Sequence, residues 1–346
     1  MSSYAVLDTA LERLSASGPD LSNGFTNHAP MAIEALCVLG RGDAALPWLE
    51  TNWRYRSMLL PRPKAGQAFA DGDAALGNGR PEDWSVFLAG DFSAQNWHEG
   101  VARWTARLSP GASAAALHGI IRTGHAVRSL QDRVTPLRLR ELRDAFAYWA
   151  AHYGTLPIAP GTAAPLPAAA AILRVKPIPA AMQRRGGAIT TALGVLAEDP
   201  DFPAIIELLD VGGDPEAILS DVTEAFARLY LANAVDGMGV ITFIHGVTGA
   251  VALRSLLPLL PPDQARTTLR HLWQAGAGLY AALGVAPPVA GPVAPPQEDA
   301  PALIERAVAS GDEHAIKFTE ALLREHAIRP SPAYLAAAAH AITALG

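Results

Sequence analysis

Between Asp236 and Arg254 the chain runs from Gly237 to Leu253 without one charged side chain, and His245 stands at the middle of the run. A membrane span needs about 20 apolar residues, so this segment is short for that purpose and polar at its centre. A helix that is apolar on every side must be buried. The rest of the chain therefore has to enclose it.

Composition agrees with a large interior. Of 346 residues, 50% are hydrophobic and only 17% charged, and the mean hydropathy is +0.17. Such a chain can bury a substantial core or cover apolar surface with a second copy, as a homodimer. The net charge of -6 and the absence of a Lys/Arg cluster argue against nucleic acid as a partner, because phosphate binding needs clustered cations. No basic and apolar leader opens the chain, and Cys37 is its only cysteine. Both point to a reducing, cytoplasmic setting without an internal disulfide and without a membrane partner.

Ala-rich segments with a 3.6-residue period dominate, which predicts an all-α protein. Helices are expected near 4–16, from Thr26-Asn27 to Gly40, and near 43–55, 82–88, 95–107, 112–130 and 136–152. A second series is expected near 168–173, 179–197, 202–209, 215–234, 238–258, 262–283, 302–326 and 332–345. Two Pro/Ala/Gly-rich loops, about 154–167 and 284–301, interrupt the pattern. Histidines of interest fall on both sides of each loop, so residues 1–346 are expected to form one helical domain.

Chemistry concentrates in Gly311-Asp312-Glu313-His314-Ala315-Ile316-Lys317. His314 and Lys317 are three apart and share a helix face, with carboxylates beside them. Histidine is the commonest metal ligand, whereas an ammonium has no lone pair to offer. Lys317 is thus a nearby cation, an amine deprotonated by burial, or a carbamate formed with carbon dioxide. His28 opens a helix, where the dipole disfavours imidazolium. His118, Arg122 and His125 align on one face of an apolar segment, which is costly unless they are paired. Spacing leaves open which histidine of that segment ligates. His245 is equally accounted for by a bond to a backbone carbonyl. No short metal motif is present, so any ligands must converge from separate helices.

Four blocks together, Asn27-His28-Ala29-Pro30-Met31-Ala32, His118-Gly-Ile-Ile-Arg-Thr-Gly-His125, Phe243-Ile-His245-Gly-Val-Thr248 and Asp312-Glu-His314-Ala-Ile-Lys317-Phe, resemble the questin oxidase-like family over nearly the whole chain. The resemblance implies an all-α oxidoreductase with non-haem Fe(II), which uses O2 to cleave or insert oxygen into a ring C–C bond of an anthraquinone- or anthrol-type aromatic. It implies His28, His118, His245 and His314 as metal residues, with Lys317 as a fifth, CO2-modified ligand. Arg122 and His125 then support the ligands or face substrate as catalytic candidates. Fungal relatives are richer in His around the first block, a departure that bears on the substrate. Two other classes compete. One is an NADPH-dependent Baeyer-Villiger monooxygenase, with or without flavin, which the missing dinucleotide-binding glycine turn disfavours. The other is a non-catalytic helical binding protein.

Overall fold

The computed structural model describes residues 3–66 and 68–346. Its helices are α1 (Leu7–Leu14), α2 (Ala29–Val38), α3 (Gly42–Pro47), α4 (Gly72–Ala75), α5 (Pro81–Phe87), α6 (Trp97–Leu108), α7 (His118–Asp132) and α8 (Pro136–Ala151). They continue with α9 (Ala168–Ala171), α10 (Ile189–Leu193), α11 (Pro215–Asn233), α12 (Gly237–Leu256), α13 (Pro262–Leu283), α14 (Ala300–Ser310), α15 (Glu313–Ile328) and α16 (Pro332–Leu345). One antiparallel strand pair, β1 (Ser17–Leu21) and β2 (Leu59–Pro61), interrupts them. The fold is all-α.

The apolar run becomes α12, started by the Asp236 side chain, which accepts from the Gly239 N–H. Among the described residues, Gly237–Leu259 is the only stretch apolar and long enough to cross a membrane, and 94% of its most apolar window is buried. α7, α11, α13 and α15 pack around it. The α7 contact depends on Gly124, where a Cβ would lie 2.5 Å from the Ala252 carbonyl oxygen. Here backbone meets backbone, and no side chain fits.

Three expectations are corrected by local chemistry. The helix expected over 302–326 is broken, because Gly311 takes a left-handed φ of 68° and Asp312 caps a new helix by accepting from His314 N and Ala315 N. The helix expected from 112 starts only at His118. Ala115, Ala116 and Leu117 hold φ values of 47°, 56° and 66°, a strained run for residues with a Cβ. Residues 179–197 form short helical segments, α10 among them, separated by a bend at Gly186-Gly187 where Gly187 takes a φ of 144°, instead of one helix.

Candidate metal centre and cavity

Four helices bring one histidine each to a common point. His28 is the N-cap of α2 and His118 the first residue of α7. His245 sits mid-way along α12, and His314 in the first turn of α15. All four are buried. His28 Nε2 and His118 Nε2 are 2.7 Å apart, and His245 Nε2 lies 3.2 Å from His118 Nε2. The His314 ring stacks edge-on to His28, with centroids 4.7 Å apart.

Tautomers follow from the opposite ring nitrogens. His118 Nδ1 donates to the Ala115 carbonyl at 2.5 Å, and His245 Nδ1 to the Ile241 carbonyl at 2.6 Å. Burial, and after it the neighbouring imidazoles and the Lys317 ammonium, lowers the proton affinity of both rings, that of His245 to about 3. Each Nε2 therefore carries a lone pair, and two lone pairs face each other across 3.2 Å. Such a contact is repulsive unless something electrophilic is shared. Two nitrogens each about 2.1 Å from one ion, at tetrahedral or octahedral angles, are separated by about 3.0–3.4 Å. Carbonyl acceptors behind ligating imidazoles are the usual support of metal-bound histidine.

The other ligand atoms fit the same purpose. Oε1 of Glu313 lies 3.5 Å from His28 Nδ1 and 3.7 Å from His314 Nδ1. These three residues present ligand atoms within 4.8 Å of one another and could hold a metal. Glu313 Oε2 and His314 Nδ1 are buried without a hydrogen-bond partner, a cost of about 1–3 kcal/mol each that a bound ion would remove. Lys317, on the same face of α15, is buried, and burial lowers its proton affinity to about 8 against the opposing pull of Glu313 and Asp312. Its charge is felt by His28, His118 and His245. The five residues expected to ligate are thus neighbours.

Arg122 and His125, expected to support the ligands or face substrate, are held in ion pairs away from the cavity. Arg122 is clamped by Glu141 at 2.7 and 2.9 Å. His125 Nδ1 donates to Glu34 at 2.7 Å within a buried network of Glu34, Arg128, Glu320 and Tyr4. Neither lines the cavity that reaches the histidines. The network instead ties α2, α7 and α15 together. Burial raises the Glu34 carboxyl, but Arg128 and the His125 bond outweigh this and hold it well below the usual carboxylate range.

A cavity of about 400 Å³ opens onto the centre. Its walls are mainly apolar, including Leu21, Phe25, Ile189, Met238 and Ile241. Arg54, ion-paired to Asp312 at 2.6 Å, stands at its side. Thr26, Tyr148 and His152 add a polar corner. A wider groove of about 560 Å³ near Arg174 and Lys176 contains no histidine. Glu313, Tyr148 and His152 were missed as site residues. Glu313 adjoins His314 in the sequence, but nothing local distinguishes Tyr148 or His152 from other helix residues. No protein-family model matches this chain, and no curated protein matches its sequence.

Proposed function

We propose that the protein is a non-haem iron oxygenase acting on a polycyclic aromatic substrate with O2. The observation that carries this is the pair of Nε2 lone pairs on His118 and His245, each fixed by a carbonyl on the far side of its ring. His28 and His314 complete a set of four neutral nitrogens. A His28 tautomer with its proton on Nδ1, toward Glu313, would leave Nε2 free to hold an ion. Iron would supply the one-electron chemistry that lets dioxygen react with an organic molecule. The cavity supplies the rest: its apolar walls bind a flat ring system and exclude water.

Four imidazoles bring no negative charge, so an anionic oxygen donor is needed to offset the cation. Lys317 as a carbamate is one source, and its lowered proton affinity favours the neutral amine that carbon dioxide requires. Glu313 is the other, already within reach of two rings. Carbon-13 bicarbonate distinguishes them: a carbamate signal lost in Lys317→Ala assigns the place to lysine, and its absence from iron-loaded protein assigns it to Glu313. The oxygenase reading itself is tested by anaerobic iron loading and oxygen uptake with polycyclic phenols such as 9-anthrol. One iron per chain and uptake that disappears in His245→Ala are expected. Protein without iron and without uptake would make it a helical binding protein.

A further inference from the structure

The cavity has a polar corner that the metal centre does not use. His152 follows the last residue of α8, and its Nδ1 donates to the Tyr148 carbonyl at 3.0 Å, which leaves Nε2 with the lone pair. Nε2 lies 3.8 Å from Asp20 Oδ1 on β1. The His152 and Tyr148 rings are 4.2 Å apart. The Tyr148 hydroxyl shares a 2.5 Å hydrogen bond with Thr26 Oγ1, two residues before His28. Thr26, Tyr148 and His152 line the same cavity as the four histidines.

Two negatively charged groups lie close to this imidazole. The C-terminus of α8 and the Asp20 carboxylate both present negative charge to the ring. Burial raises the Asp20 carboxyl above its ordinary value against the pull of His152 and Arg122; Arg122 also acts on Tyr148, its own charge is committed to Glu141, and Glu82 lies near Asp20. Burial raises the Tyr148 hydroxyl well above its ordinary value, so it stays protonated and serves as a hydrogen-bonding group. An aromatic hydroxyl is the matching ligand. It is acidic enough to yield its proton to an imidazole, whereas an aliphatic alcohol is not, and a carboxylic acid arrives already ionised.

We propose that His152, with the Asp20 carboxylate 3.8 Å from the same Nε2, accepts the proton of an aromatic hydroxyl on the substrate, whose oxygen is then held by the Tyr148–Thr26 hydroxyl pair. The O–H bond breaks, its electron pair stays on oxygen as phenolate, and an N–H bond forms at Nε2. No electron changes hands in this step. It rests on the cavity being the substrate site of the oxygenase proposed above, and it narrows the class to aromatics with a free hydroxyl. A phenolate is far more easily oxidised than a phenol, so the step prepares the ring for oxygen.

The full-length protein under nitrogen is titrated with 2-hydroxyanthraquinone, whose ionised form absorbs at longer wavelength than its neutral form. Bound dye should ionise about one pH unit or more below free dye, a tenfold bias. His152→Gln should bind dye but lose the shift, and Asp20→Asn should lose part of it. The His152 side chain is 36% exposed, so the variant is expected to fold, which circular dichroism checks. Failure of the dye to bind, dye that stays neutral in the wild type, or an unchanged shift in His152→Gln overturns the proposal. Absent iron or absent oxygen uptake overturns the oxygenase reading alone, because the dye shift requires neither.

Discussion

At the scale of single residues, the buried histidine cluster makes stability depend on pH. In the metal-free protein, burial above all, then Lys317 and the neighbouring rings, keeps His28, His118 and His245 neutral. Their folded-state proton affinities lie below the unfolded value near about 6.5. The stability that this neutrality carries is fully present above that pH. It is lost as pH falls, because the unfolded chain then takes up protons that the folded chain refuses. The loss is about 1.4 kcal/mol per pH unit per histidine. Denaturant titrations of metal-free protein at pH 7 and pH 5 should show the decline, and His245→Leu should make it shallower; identical slopes would count against a buried neutral ring. Lys317 has the same sign of shift. Its ammonium is buried at a cost as pH drops from about 10.5 through about 8. Lys317→Met keeps the volume and removes the charge, so the metal-free protein should gain about 1–3 kcal/mol at pH 7. The same variant should bind metal less tightly, by calorimetric titration. A gain in stability with a loss of affinity would mark the residue as functional.

Among the elements, the N-terminus of α15 governs the site most directly. Asp312 caps that helix and also holds Arg54 at the cavity side. Asp312→Ala should cost about 1 kcal/mol from the lost cap and loosen the turn that carries Glu313 and His314. Its effect on metal affinity should therefore exceed its effect on stability. Metal titration beside denaturation measures the two, and equal small effects would place His314 outside the centre. The strained residues before α7 act in a similar way. Left-handed turns at Ala115, Ala116 and Leu117 put the Ala115 carbonyl under His118 Nδ1, so local backbone strain is spent on fixing one tautomer.

For the whole molecule, α12 is the axis on which the site is assembled. It carries His245 and packs directly on α7, which carries His118, and on α15, which carries His314 and Lys317. Gly124 sets the α7–α12 separation. Gly124→Val would push those backbones apart, and we expect a loss of about 3 kcal/mol or more with a matching fall in iron content. Thermal denaturation and elemental analysis give the two quantities. Full iron content in a destabilised variant would show that the centre tolerates helix displacement.

Much of the fold was legible locally. The helices expected over 215–234, 262–283 and 332–345 appear at Pro215–Asn233, Pro262–Leu283 and Pro332–Leu345, because each combines a 3.6-residue apolar period with a proline in its first turn. The buried nature of α12 followed from a run with no polar face to turn outward. Less was legible where one residue decides against its neighbours. Gly311 ends a helix that the apolar pattern would continue, and three non-glycine residues before His118 take left-handed angles that only surrounding packing can impose. The site divides along the same line. Histidine type, the helix-start position of His28 and the His-x-x-Lys spacing are properties of short segments that mark candidates, whereas the choice of His118 over His125 and the five-residue set came from the family resemblance. The meeting of His118 with His28 and His245, 90 and 127 residues apart, belongs to packing. So do the diversion of Arg122 and His125 into ion pairs and the arrival of Glu313, Tyr148 and His152 at the cavity. Local sequence sets which way a side chain leaves its own helix, but the atoms it meets are set by how helices far apart in the chain close around α12.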